Sequence, residues 1–522
     1  MRMSKRDAGR ARGNRNVASP SRPPFVAEGH AVGTARARRR AFASWSPLAV
    51  GALASACGGL AADGELPEPL TRLDRTLAAI VDDLSAMPES DRRFARYLLL
   101  ADHDNGALSY LSAPGSGDDD ALARARAFER DRQGASELAN SVSTTAAIHV
   151  PEALAADDHI LRIDQRDYGW ARSVDVAGTL RADGWDAIVG AAALPLDLAG
   201  PHADRIVELT GSARPLLFVN DFLGVAPTAD LYYGLLALPD TLAALQNRLA
   251  SGVLAASGAP AAEATTVTKA YRAGFDSSGV TRVTRAVERR VSMTDASRGY
   301  WQAFDFLDDD RAGAVFSDPL EFTPDGTQVI FTLPNGLQGF YLAGAAGERI
   351  AHYEPFGFDP YSGYDYLPST FASCFGCHNS GAVVFQDQVR SRYLAGDPRV
   401  TPGERDEILE TYPAEDEMDR LLGDANRSYA RALEQLGDDT FGSDSVSFTY
   451  AQSLRGTVNL QLAASMLFAT PDELLAMLPE SSLAHLEGVD RVGVGPRKYR
   501  EAYTELFCAL QRDSLNRLAS CR

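Results

Sequence analysis

The stretch from Ser373 to His378 reads Ser-Cys-Phe-Gly-Cys-His. Two thiols three positions apart, followed at once by an imidazole, admit three chemistries: half of a zinc site, a redox dithiol, or a covalent haem anchor. A structural zinc site needs four ligands, commonly in two pairs. The chain has no second Cys-x-x-Cys and no His-x3–5-His, and its eight histidines are scattered. A redox dithiol wants its cysteines at a helix N-terminus after a buried parallel strand. The preceding DPYSGYDYLPSTFAS reads instead as a polar, turn-rich loop. The haem anchor accounts for each residue. Thiols at i and i+3 of a helical turn meet the two vinyl groups along one porphyrin edge and form thioethers. The next residue is then carried under the iron, where an imidazole is the axial ligand. Cys374 and Cys377 are thus the expected attachment points of one covalent haem c, with His378 as the iron ligand.

The opposite iron face is open to several readings. Met418, Met466, Met477, His485 and His352 are available in the sequence, as is a site left to water or a small molecule. Met466 and Met477 fall on apolar helix faces, where methionine is more often core than ligand. Met418, among acids in AEDEMDRLL, reads as a helix-surface residue.

The address of the chain is written in its charge. Residues 1–56 hold ten Arg and one Lys against Asp7 and Glu28, a net +9; the whole chain is −19, so the remainder carries −28. A basic leader before an acidic body is an export signal followed by its cargo. Arg36 to Arg40 form a positive region, and residues 41–56 are apolar or small, too short for a mature spanning helix. Arg-Arg-Ala-Phe at 39–42 fits the core of a twin-arginine signal, and a plain secretory signal fits as well. LASAC, ending at Cys57, has the small residues of a lipoprotein box, so Cys57 is the candidate lipidation site; cleavage after ASA is the alternative. The expected location is the periplasm or an outer-membrane lipid anchor. The acidic body disfavours nucleic acid and suits a basic redox partner protein, with membrane contact only through the anchor.

Cys508 and Cys521 remain, an even remainder that suits a disulfide in an oxidising compartment. On one unbroken helix their thirteen-residue separation would span about 20 Å, far too long for a bridge. Either a turn intervenes or both are free.

The elements that must position the motif are mixed. A helical N-terminal region at 57–140, a mixed region at 141–360 and a mainly helical haem-binding region at 361–522 give an α+β class. The apolar spacing from Pro67 to His103 predicts helices. Short strands are expected at HILRIDQRDYGW, GYWQAFDF, TQVIFTL, QGFYLAG and ERIAHYE, two of them paired through LPNGLQG. Arg162, Asp164 and Arg166 alternate onto one strand face, as a salt-bridge ladder or with one Arg toward a haem propionate. Helices are expected over 401–422, 424–436, 460–468, 471–478 and 497–519.

Several of these stretches, YRAGFDSSGVTRVTRAVERR, GYWQAFDF, VIFTLPNGLQGFYLAGAAGERI and SCFGCHNSG, resemble a family of exported bacterial proteins. These are described only as cytochrome c domain proteins, of planctomycetes and related environmental bacteria. The resemblance covers roughly residues 90–520. It implies a single haem on Cys374 and Cys377 with His378 as axial ligand, and it implies no reaction. Phe-Gly between the cysteines departs from the small-residue or Met variants common in that family. Electron transfer is the expected role; a peroxidase-like haem oxidoreductase and a haem-based sensor or binding module are the alternatives.

Overall fold

The computed structural model describes residues 71–100, 120–171, 183–192, 194, 196–251, 268–276, 283–292, 299–308, 313–352, 371–437, 458–478 and 496–521. The leader, Cys57 and His485 lie outside them. Residues 68–522 form one compact unit. Among the described residues no helix is long and apolar enough to cross a membrane.

The elements run α1 (Arg72–Ala86), α2 (Glu89–Arg92), β1 (Ala95–Leu99), α3 (Asp120–Ser141), β2 (Glu152–Ala153), β3 (Ile160–Asp164), α4 (Gly184–Ala191), β4 (Leu198–Ala199), α5 (Pro201–Thr210) and β5 (Leu216–Phe218). There follow α6 (Val219–Val225), α7 (Ala229–Leu235), α8 (Leu242–Ser251), then β6 (Thr268–Phe275), β7 (Thr284–Ser292), β8 (Gly299–Phe306), β9 (Gly326–Thr332) and β10 (Gln338–Gly344). The motif helix α9 (Ala372–His378) precedes α10 (Val389–Leu394), α11 (Pro402–Thr411), α12 (Glu415–Gln435), α13 (Leu460–Met466), α14 (Pro471–Met477), α15 (Pro496–Leu510) and β11 (Arg517–Leu518). The class is mixed α+β.

A four-stranded sheet has the order β2-β3-β1-β5, and a five-stranded antiparallel sheet the order β10-β9-β8-β7-β6. The largest core cluster joins Leu98, Leu161 and Trp170 of the first region to Val329, Phe331 and Tyr341 of the second, and includes Phe371 and Phe375 of the motif segment. Strand β10 is a sheet edge, and α7 covers it: the Tyr232 and Tyr233 hydroxyls accept hydrogen bonds from the Phe340 and Leu342 amides at 2.9 and 3.2 Å. That closure satisfies donors an edge strand otherwise exposes.

The structure corrects the sequence reading of several elements. Ala95–Leu99, expected as helix, is a wholly buried strand paired with β3 and β5. A short apolar run buried on both faces has no strand periodicity to betray it. The break expected near residue 423 falls instead at Tyr412–Ala414, where Pro413 ends α11, and α12 then runs unbroken. The last expected helix stops at Leu510, and a turn leads to β11, which pairs with β4. That turn brings Cys508 and Cys521 to a Cα separation of 5.3 Å and a disulfide.

Arg162 and Arg166 form the ladder. Arg162 bonds Asp83 at 2.6 Å and pairs with Glu152 on β2, while Arg166 holds Asp91 at 3.1 Å and Asp164.

The beginning and end of the described chain meet at Asp74, which is 1% exposed. Its carboxylate accepts from Thr71 and Ser514 hydroxyls (both 2.8 Å), the Leu515 and Asn516 amides (both 3.1 Å) and Asn516 Nδ2 (2.7 Å). Burial pushes its pKa up, but the bonds from Asn516, Leu515, Ser514 and Thr71 outweigh it and hold the pKa below the ordinary value. A depressed folded pKa contributes stability that is full above the unfolded carboxyl pKa and is lost as pH falls through the folded one. We predict that Asp74→Ala lowers unfolding stability by about 3 kcal/mol at neutral pH. The difference from wild type should shrink below about pH 4, measured by chemical denaturation across pH.

Candidate haem-attachment site

Helix α9 starts from an unusual residue. Phe371 has φ +66, a conformation that L side chains rarely adopt, and it is fully buried. Its ring stacks on Phe375 (centroids 5.2 Å, planes 12° apart) and contacts Tyr232 at 5.0 Å and Phe340 at 6.0 Å. This positive-φ backbone costs on the order of 1–3 kcal/mol, and burial of a whole phenyl ring in the core offsets it. Phe371 and Phe375 thereby fix which side of the helix faces inward.

Residues i, i+3 and i+4 share a helix face. Cys374, Cys377 and His378 are so placed, the two thiols are unpaired, and all three side chains are half-buried. Phe375, which flanks that face one position after Cys374, is 2% exposed. The helix ends at Asn379, whose Nδ2 donates to the Gly376 carbonyl at 3.3 Å.

His378 is oriented from behind. Its Nδ1 lies 3.1 Å from the Gly381 carbonyl, which can only accept, so Nδ1 carries the proton and Nε2 keeps its lone pair. That is the arrangement a metal-binding imidazole uses, with the second nitrogen tied to an acceptor. Gly381 has φ +116, and a Cβ there would fall 2.4 Å from Asn426 Oδ1. Asn426, on α12, accepts from the Ala382 amide at 2.8 Å and donates to the Ala382 carbonyl at 3.0 Å. The loop that orients the histidine is thus clamped to α12.

The five-stranded sheet supplies the floor. Strand register puts Tyr271, Arg289, Trp301, Ile330 and Phe340 in one row across one face, with Val287, Ala303, Gln328 and Leu342 in the next. Phe340 lies 6.3 Å from His378, and Leu342 packs against Cys374. At the other end of the face Met418, Leu421 and Leu422 of α12 pack on Phe275, Val287 and Trp301. Between them Ala303, Gln328 and Ile330 are half-buried, and Ile330 touches both clusters.

Electrostatics keep all three motif groups uncharged. Burial pulls the His378 pKa down to about 4; the Gly381 bond opposes this and the positive charge of Arg285 adds to it. Burial raises the Cys374 thiol to about 12, and Cys377 adds to that rise. Burial raises Cys377 to about 11, with Arg285 opposing. A thiol–disulfide exchange site works by lowering a thiol pKa, so this environment is the reverse of a redox dithiol's. Arg285 acts on all three while fully engaged elsewhere: its Nε and Nη2 hold both oxygens of buried Asp305 at 2.6 and 3.0 Å, and Gln328 donates to Asp305 at 3.2 Å.

The sequence-expected trio is therefore on one face of one helix. The methionines are not with it. Met466 and Met477 belong to a second core cluster, which contains no motif residue. Met418 is not a surface residue: it is 6% exposed against Trp301 and Phe275, because the acids beside it occupy the outer side of α12. His352 is exposed. Sequence reasoning missed Arg285–Asp305, Gln328, Asn426, and the pair Arg289 and Trp301. The alternation in TRAVERRVS could have found the arginines, since it throws Arg285 and Arg289 onto one strand face.

In chain produced without haem attachment, iodoacetamide should alkylate Cys374 and Cys377 more than about tenfold slower than glutathione at pH 8, followed by peptide mass spectrometry. Equal rates would show that burial does not control these thiols. Comparison with protein-family models, curated proteins and solved structures matches none of them to this chain.

Proposed function

We propose that this chain is an exported monohaem c-type cytochrome domain protein that transfers electrons, carrying one haem c on Cys374 and Cys377 with His378 as axial iron ligand. The observation that carries the reading is the shared face of those three side chains, with His378 Nε2 left free by the Nδ1 bond to Gly381. Bound there, haem c supplies an iron that gains and loses one electron.

The residues around the motif fit such a group. The uncharged thiols suit thioether formation, and a neutral imidazole suits iron ligation. Phe340, Leu342 and Ile330 offer an apolar wall beside the thiols. The Asn426 clamp fixes the imidazole, and small reorganisation on electron transfer requires such rigidity. Val383 and Val384, 53% and 72% exposed, follow the motif closely and offer a small apolar contact for a transient partner. The −28 charge outside the leader suits a basic one.

Export and a lipid anchor at Cys57 rest on the leader. The Cys508–Cys521 disulfide supports an oxidising compartment. The family resemblance supports a single haem and leaves the reaction open.

Expressed with a haem-attachment system, the protein should carry one covalent haem, lost in Cys374→Ala/Cys377→Ala. A reduced spectrum that is six-coordinate and unmoved by carbon monoxide favours electron transfer. Ready carbon monoxide binding would favour a haem enzyme or gas sensor, and a colourless protein would sink the reading altogether. Membrane fractionation tests the anchor: Cys57→Ala should release the protein to the soluble fraction.

A further inference from the structure

Strand β7 carries three arginines inside the fold's second half, and two have their acids. Arg285 holds Asp305, and Arg290 holds Glu288 at 2.6 Å. Arg289 does not. It is 4% exposed, and its Nε is buried without an acceptor among the described residues. Asp424 acts on it electrostatically, but that carboxylate is bonded to Arg420 and Arg427. Burial drags the Arg289 pKa down to about 10, the mark of a charge taken out of water without full compensation.

Its neighbour has the same defect. Trp301 sits directly opposite on β8, 7% exposed, and its indole Nε1–H is also buried without an acceptor among the described residues. The Arg289 guanidinium carbon lies 5.3 Å from the Trp301 ring centre. Space is reserved for it at Gly299, where a Cβ would come within 3.1 Å of the guanidinium. Two buried N–H donors on directly paired residues of adjacent strands, one of them on a cation, are each costly when unmade, and an oxyanion is the ligand type that would satisfy them. The planar fork of arginine matches a carboxylate best.

Position narrows the choice. Arg289 and Trp301 occupy the row that continues through Ile330 to Phe340, which lies 6.3 Å from His378. Only β9 separates β8 from β10, so Trp301 and Phe340 stand roughly 10 Å apart across two strand spacings. The half-buried strip of Ala303, Gln328 and Ile330 joins the two ends. A haem fixed through its vinyl carbons at one end of this strip has carboxylates on its other two pyrrole rings. We propose that Arg289 and Trp301 are the anchor for a propionate of the haem attached at Cys374 and Cys377. Arg289 and Trp301 are thus positioning residues for the cofactor, and this deepens the electron-transfer reading and rests on it.

The test uses holoprotein matured with covalent haem. A crystal structure should place a propionate oxygen within hydrogen-bond distance of Arg289 and of Trp301 Nε1; water or a solvent anion in its place overturns the proposal. Redox titration and resonance Raman spectroscopy of Arg289→Met and Trp301→Phe give a second readout. With its counter-charge removed, the propionate stabilises ferric iron, so Arg289→Met should lower the midpoint potential and shift the propionate bending mode. Trp301→Phe keeps the ring and should shift both less, in the same direction. Full haem incorporation with potential and mode unchanged in both variants overturns this inference alone. Absence of covalent haem from the wild type overturns the electron-transfer reading and takes this one with it. If Arg289→Met does not fold, Trp301→Phe and the wild-type structure decide.

Discussion

One side-chain amide holds the candidate site together. Asn426 of α12 bonds the Ala382 main chain in both directions, and everything that orients His378 follows from it. The clamp fixes the loop, the loop presents the Gly381 carbonyl, and that carbonyl settles which imidazole nitrogen keeps its lone pair. It also explains Gly381, since a side chain there would collide with the clamp itself. Helix α12 in turn packs on the sheet through Met418, Leu421 and Leu422. The proposed iron ligand is thus set by an element that begins more than thirty residues downstream.

The sheet face under the motif is unusual in what it buries. A face that packs helices is ordinarily apolar, yet this one includes Arg285, Asp305, Gln328 and Arg289 among Phe340, Leu342, Ile330 and Trp301. Buried ionic groups seldom repay their desolvation in stability. Arg285 and Asp305 offset part of that cost as a bidentate pair to which Gln328 adds a further bond. The same strand turns Glu288 and Arg290 to its other face, where the charges are matched within the protein.

What the sequence disclosed was local chemistry. Cys374, Cys377 and His378 are one motif, their shared helix face follows from spacing alone, and the α+β class follows from mixed periodicities. The even remainder of cysteines left a pair open, and the geometry of a helix rightly demanded a turn between them. What escaped were contacts fixed by register and packing. Nothing in AEDEMDRLL tells which side of α12 turns inward, so Met418 read as surface. β1 is buried on both faces, so its sequence lacks the alternation that marks a strand. Arg289 and Trp301 lie twelve residues apart, and only antiparallel pairing of β7 with β8 makes them neighbours.

The latch at Asp74 bears on how the chain comes to be finished. Asn516 reaches it across 442 residues of sequence. A bond between residues so far apart in sequence depends on the whole intervening fold to bring its partners together. The segment from Ser514 to Asn516 supplies the acid's far partners and is tied back to α15 by the Cys508–Cys521 bridge. A molecule trimmed of that final segment would retain its motif helix and both sheets, but would hold a buried carboxylate stripped of most of its donors. The segment around Asn516 is in this sense gripped from the first described helix, by a single buried acid.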